Sequence, residues 1–383
     1  MVHVFRHMKG TFMMFPMRRY FDYNANAPLY EVVIDRITMA FNEFGSASAI
    51  HRFGRRVNYL IEEARAEIAG SLEAQPQNIV FTSGASEANN MVLQGFESQG
   101  YRILVSAIEH ASCRLAALNP EFIPVTNEGV IDLAMLEKMI SSGSTPTLIA
   151  VMTANNETGV IQPINEVVVL AKKYGALVHT DAVQALGRIP VSFKSVNVDS
   201  MVISSHKIGG PLGVGALIMK EKIELPPFIR GAGQEKNRRS GTQNMPGIVG
   251  FATALKEVLK EDWQRVEELR NWMEEQIKEI ADEGIVFGEK KPRLQNTSFI
   301  RMPGVKRDLQ MMAFDLEGFA VSPGSACSSG KSKASHTLLS MGIPADQAEE
   351  AVRLSFSPNV NKSDIKDFVE LWHQIYQKKR LKK

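Results

Sequence analysis

Between residues 79 and 219 the chain alternates short apolar runs with amphipathic stretches of helical period. The runs are Ile79–Thr82, Arg102–Ser106, Leu148–Met152, Leu177–Thr180, Met201–Ser204 and Ala216–Met219. Brief runs of this kind, apolar on successive residues, are the pattern of strands buried on both faces. Their alternation with helices predicts an α/β fold: a mostly parallel sheet, helices on both faces, and ligands gathered by the loops at the carboxyl ends of the strands. A long charged amphipathic helix is expected over Met245 to Ala281. Beyond it the rhythm changes to a strand at Thr297–Ile300, a helix from Arg307 to Glu317 and a strand at Val352–Ser355. The predicted organisation is a large domain over 31–266 and a smaller α+β domain built from 17–30 and 267–383.

At the start, Tyr20–Tyr23 is the first strand-like run. Residues 1–16 are rich in Met and Phe, lack acids and carry Arg6 and Lys9. Thr11 to Met17 is too short to span a bilayer, and the segment is read as a disordered extension or a mis-assigned start. Gln377 to Lys383 is read as a solvated basic tail.

Composition narrows the classes. With 383 residues the chain fits two domains, and 44% hydrophobic and 22% charged residues are ordinary for a soluble globular protein. A net charge of +2 argues for neither nucleic acid nor an anionic membrane as partner. The two cysteines, Cys113 and Cys327, allow no disulfide framework, which places the chain in a reducing compartment, the cytoplasm.

Polar motifs follow the predicted strands. Lys207 comes after the run Met201–Ser204, with Ser204, Ser205 and His206 on one side and Gly209, Gly210, Gly213 and Gly215 on the other. A lysine so held suits Schiff-base chemistry with an aldehyde cofactor, and the hydroxyls suit a phosphate; a snorkelling lysine on a Gly-rich turn is the plainer alternative. Gly84, Ala85 and Ser86 lie between a strand and a helix, a cup for an anion, or a simple cap at Ser83 or Ser86. Asp181 ends another strand, where a protonated pyridine nitrogen or the backbone donors of a helix start would satisfy it, and Gln184 lies one turn on, within reach of a ring oxygen.

His110 also follows a strand, placed to stack on a flat cofactor and move protons, while Cys113 reads as packing. Asn156 offers a donor to a ring oxygen or substrate carboxylate, with Glu157 and Gly159 shaping its turn. The segment Arg238–Asn244 is a basic, hydroxyl-bearing loop suited to phosphate, or a plain surface loop. Cys327 sits among small residues from Ser322 to Gly330, which suggests a redox or nucleophilic thiol. Arg353 would clamp a carboxylate or form an ordinary ion pair. No metal is expected.

Together these motifs resemble the cysteine desulfurase family of the NifS and IscS type, within the aminotransferase class V group of pyridoxal-phosphate enzymes. The resemblance spans Tyr20 to Asn361; its most specific parts are Ser-His-Lys-Ile at 205–208, Arg-Ser-Gly-Thr at 239–242 and Gly-Ser-Ala-Cys at 324–327. It implies a fold-type I transferase in which Lys207 carries the cofactor as a Schiff base and moves protons, His110 stacks on the ring, and Asp181 pairs with its nitrogen. Gln184 and Asn156 would bind the ring oxygen or substrate, and Ala85, Ser86, Ser204 and His206 the phosphate. Thr242 would reach the phosphate of a neighbouring subunit in a homodimer, and Arg353 the carboxylate of L-cysteine. Cys327 would take the sulfur as a persulfide, release L-alanine and pass the sulfur to an acceptor protein for iron-sulfur clusters or tRNA thiolation. Selenocysteine lyase and a non-catalytic sulfur carrier are the alternatives. The sequence departs from the commonest family pattern at Asn24–Pro28, Ser205 and Gly210, and it ends soon after the last predicted helix, leaving the acceptor unspecified.

Overall fold

The computed structural model describes residues 19–143, 145–281, 286–324 and 334–380. Seven strands, β1 (Ile79–Thr82), β2 (Arg102–Ser106), β3 (Glu121–Ile123), β4 (Thr147–Ala150), β5 (Leu177–Asp181), β6 (Ser200–Ser204) and β7 (Gly215–Met219), form one sheet in the order β1-β7-β6-β5-β4-β2-β3. β7 runs antiparallel to its neighbours β1 and β6, and the remaining pairs are parallel. This is the mostly parallel α/β architecture the apolar runs predict.

The pleat sends successive side chains to opposite faces. Ile79, Phe81, Met201 and Ile203 join one core with Val33, Ile61, Ile248 and Phe251, contributed by helices Glu31–Ala40, Arg52–Ser71 and Met245–Val258. Val80, Val202 and Leu217 join a second with Met91, Val92 and Phe96 of helix Ala85–Ser98. Both faces are therefore dry, which is why the strands read as continuous apolar runs. Polar groups are displaced to the strand ends, and β1, β2, β4, β5 and β6, which run in one direction with β3, deliver theirs to the same edge of the sheet.

A separate two-stranded sheet pairs β8 (Thr297–Arg301) antiparallel with β9 (Ala351–Ser355). Helices Arg307–Leu316 and Lys362–Arg380 accompany it, and Phe21, Phe319, Phe356 and Phe368 pack ring against ring at 4.9 to 5.7 Å between centroids. Residues 20–23 form isolated bridges, Tyr20 to Ala320 and Asp22 to Ser355, where a strand is expected from the sequence. Those bridges fix the main chain at 24 and 25, which reaches the site described next.

Two further expectations are corrected. The single helix over 245–281 is two helices, Met245–Val258 and Trp263–Ile280. The break lies where Asp262 turns its side chain back to accept the Arg265 amide at 3.1 Å and so starts a new helix. β3 was not expected; it is three residues long and its first two are exposed, so it carries no apolar run to read.

Candidate active site

β6 ends at Ser204 and passes into a single tight turn, Ser205–Lys207. Gly209 leaves the turn at φ +76°, a region that favours glycine, while a Cβ at Gly210 would lie 2.1 Å from the buried Ser205 hydroxyl. The turn swings Lys207 back into the protein, where Nζ donates to the carbonyls of Asn24 and Ala25, each at 2.7 Å. Burial first, then the positive charges of Arg353 and Arg188, bring the Lys207 pKa down to about 8, against the opposite pull of Asp22 and Asp181. An amine in that range supplies the neutral, nucleophilic form near neutral pH. This is not a snorkelling surface lysine.

Asp181 closes β5 and is 7% exposed. One oxygen accepts the Val183 amide at 3.0 Å and the other the Asn89 side-chain amide at 2.8 Å. Asn89 also donates to Ser112 Oγ at 2.9 Å and meets His179 Nε2 at 3.0 Å, whose Nδ1 lies 2.8 Å from Ser200 Oγ. His110 follows β2 at the open side of the site. Its Nδ1 accepts the Ser112 amide at 3.2 Å, so the neutral ring carries its proton on Nε2. Surrounding protein lowers the His110 pKa; Asp181 pulls it up and Lys207 adds to the fall. Beside them Glu109 is fully buried and, through that burial and the charge of Asp181, is held well above the usual carboxylate range. Cys113 is buried in the core, as its reading as packing expects.

Helix Ala85–Ser98 begins at Gly84 with no side-chain cap, so neither Ser83 nor Ser86 performs the capping role considered from the sequence. Its first N–H groups have no intrahelical acceptor. Ser86 is exposed there. Ser204 Oγ and Asn156 Oδ1 are buried without a hydrogen-bond partner, an unusual state for such atoms unless a ligand completes them. A phosphorylated pyridine aldehyde suits this donor set: helix amides and a hydroxyl for phosphate, an amine for the aldehyde, a carboxylate for a ring N–H. Nδ1 of His206 meets Asn26 Oδ1 at 3.1 Å, which orients the ring, and burial brings its pKa down to about 4. Arg239 is likewise committed to Glu87 at 2.8 Å, and Glu87 in turn holds the Ser83 amide, so this arginine braces the cup. Thr242, further along that loop, is exposed.

Arg353 is 4% exposed and donates to Asn156 O at 2.8 Å and Asp22 Oδ1 at 2.5 Å, while its Nε has no partner. Gln184 donates one Nε2 hydrogen to Asn24 O at 3.0 Å and accepts from Arg188 at 3.0 Å, which fixes its amide and leaves its second N–H for a ring oxygen. Cys327 lies outside the described residues. The chain on either side of it comes to the site: Ser322 pairs with the Arg353 main chain, a Cβ on Gly324 would be 2.8 Å from Glu157 Oε2, and Ser335 Oγ donates to that carboxylate at 2.5 Å. No group of metal-ligating side chains occurs among the described residues.

The aminotransferase class-V profile matches residues 19–368. The chain belongs to the aminotransferase class-V family. A relative from Dictyoglomus turgidum named cysteine desulfurase IscS is 36% identical over 376 residues, covering 94% of this chain and 95% of its own. One from Archaeoglobus fulgidus, named cysteine desulfurase IscS 1, is 35% identical with 94% and 97% covered. Among solved structures, a NifS-like protein from Rickettsia africae superposes with a TM-score of 0.87 at 34% identity, covering 94% of this chain and 99% of that one. The class-V fold is thus shared across nearly the whole length.

Some site residues left no signal in the sequence. Asn24 and Ala25 act through main-chain carbonyls, and Asn89, His179 and Ser112 lie inside or beside apolar stretches without any local motif. The faint clue at Asn89 and His179 is a polar residue where a buried strand or helix face is otherwise apolar.

Proposed function

We propose that the protein is a pyridoxal-phosphate-dependent cysteine desulfurase that converts L-cysteine to L-alanine and leaves the sulfur on Cys327 as a persulfide. The observation that carries this reading is the desolvated Lys207 amine, tied only to main-chain carbonyls and sharing its surroundings with Asp181, His110 and Arg353. Bound pyridoxal phosphate would supply an aldehyde and an electron-withdrawing ring.

The chain's own residues do the rest. The amides of Ala85 and Ser86 and the hydroxyl of Ser204 would hold the phosphate, Asp181 the ring nitrogen, and Asn156 the ring oxygen or substrate. His206 would add to the phosphate contacts and Gln184 would bind the ring oxygen or substrate, from positions fixed by Asn26 and Arg188. Thr242 would serve the phosphate site of a second copy of the chain, in a homodimer. Lys207, once its aldehyde partner is taken by substrate, is free to carry protons at Nζ, and His110 at Nε2. The buried Arg353 fork would exchange its Asp22 contact for the substrate carboxylate. Cys327 then attacks the substrate sulfur as a thiolate: an S–S bond forms, the substrate C–S bond breaks, and the carbon side takes up protons to leave as alanine, so oxidation at sulfur balances reduction at carbon.

The test supplies L-cysteine and pyridoxal phosphate and measures alanine, sulfide and persulfide. Cys327→Ser is expected to retain the coloured cofactor but to form no persulfide and lose at least about a hundredfold in sulfur release. Sulfide release at the parent rate would remove Cys327 from the reaction, and a marked preference for selenocysteine would redirect the substrate.

A further inference from the structure

Asn89 occupies an apolar helix face, is wholly buried and makes three side-chain contacts, to Asp181, Ser112 and His179. Their directions follow from elementary donor and acceptor counting. The amide nitrogen of Asn89 faces Asp181 and donates to its Oδ2 at 2.8 Å. The same nitrogen has a second hydrogen, which goes to Ser112 Oγ. The carbonyl oxygen then faces His179, and only an N–H at Nε2 can satisfy it. His179 Nδ1 is thereby left as an acceptor, and Ser200 Oγ stands 2.8 Å away to donate. At the other end, Ser112 Oγ accepts from Asn89 and is left with its own hydrogen, which points at His110 Nδ1, 2.9 Å away.

We propose that Asn89, held in one orientation by His179, is the positioning residue for both groups that flank the cofactor ring. It delivers one N–H to Asp181 and, through Ser112, fixes the rotamer and tautomer of His110. Every hydrogen bond in the branch runs the same way, from Ser200 through His179 and Asn89 outward. Aligned dipoles of this kind turn their positive ends toward the Asp181 carboxyl group, which stands opposite a ring N–H. Reversal of the Asn89 amide would set two oxygens against each other at Asp181, and the Nε2–H tautomer of His179, with Ser200 donating to Nδ1, opposes it. Full burial brings the His179 pKa down to about 3, so the ring keeps a single proton across the working range.

The inference rests on the reading that the site takes pyridoxal phosphate. Three variants of the full chain test it: Asn89→Leu, which keeps the volume and removes the amide; His179→Met, which frees the Asn89 orientation; and His179→Gln, whose amide nitrogen can stand where Nε2 stood. Each is measured by equilibrium dialysis of pyridoxal phosphate, the pH midpoint of the visible absorption band, kcat and KM for L-cysteine, and thermal unfolding without cofactor. Asn89→Leu is expected to weaken cofactor retention about tenfold, to move the band midpoint by roughly half a pH unit, and to lower kcat more than it raises KM. His179→Met should fall between it and the parent, and His179→Gln should recover most of that loss. Unchanged retention and midpoint in Asn89→Leu and His179→Met overturn the proposal. So does a His179→Gln protein that folds like the parent yet performs no better than His179→Met, a comparison that decides the matter even if Asn89→Leu does not fold. A parent that binds no pyridoxal phosphate overturns the functional reading and this one with it; a parent that binds it while the variants match it overturns this one alone.

Discussion

Around Glu274 and around Lys207 the protein buries charge in opposite ways. Arg293 sets two N–H groups on the two oxygens of Glu274, at 2.8 and 2.7 Å, and Ser298 adds a donor at 2.7 Å. Burial alone would raise the Glu274 pKa, but Arg293 and Arg270 hold it below the usual carboxylate range. Lys207 has no carboxylate hydrogen-bonded to its amine, two arginines act against its charge, and the same site keeps buried polar atoms without partners at Ser204, Asn156 and Arg353. A charge that is fully matched holds the fold together. One that is left short is waiting for a ligand.

The sharpest way to break this contrast is to remove each charge in turn. Lys207→Ala should cost about a thousandfold or more in turnover, since the group that binds the aldehyde is gone. Its apoprotein should unfold at the parent's urea midpoint or above it, because a desolvated ammonium has been deleted. Glu274→Ala should do the reverse, losing about 3 to 5 kcal/mol in urea denaturation through the stranded Arg293 while the folded fraction keeps its turnover. Equal stability losses in the two variants would show that the two clusters do not differ in kind.

A smaller effect sharpens the comparison through pH. The apoprotein should take up pyridoxal phosphate faster as the pH rises through about 8, the Lys207 value, where an ordinary lysine stays charged until near 10.5. Arg353→Met removes one positive charge acting on the amine, so the midpoint of that rate profile should move upward. The sign for stability follows: between the folded value of about 8 and the ordinary 10.5, the unfolded chain holds the extra proton, so the Lys207 contribution to stability rises with pH across that window. A rate profile centred at the same pH in parent and variant would remove Arg353 from the causes.

The sheet was legible because its strands are buried on both faces and so read as unbroken apolar runs. β3 was not, since Glu121 and Phe122 are exposed and leave only Ile123 in the core. The helix break at Asp262 was hidden because the amphipathic pattern continues on both sides, and only the capping contact separates the two helices. In the site, Lys207, Asp181 and His110 announced themselves as polar residues at strand ends. Gln184 and His206 were placed in the right neighbourhood, and contacts to Asn24, Arg188 and Asn26 fix their orientation there. Asn24, Asn89 and His179 stayed unseen because their partners lie 132 to 331 positions away for Asn24 and 21 to 92 for the other two, distances over which no local motif operates.

Ser205 and Gly210 share one small volume behind Lys207, where a Cβ at 210 would stand 2.1 Å from the serine oxygen, 2.9 Å from Ala254 and 3.0 Å from the Ser205 carbonyl. Bulk at one position therefore excludes bulk at the other. A lineage that acquires a side chain at 210 must first clear 205 and ease Ala254, and the opposite order passes through a collision in the turn that carries Lys207. The order of substitutions at this turn is thus constrained by its geometry.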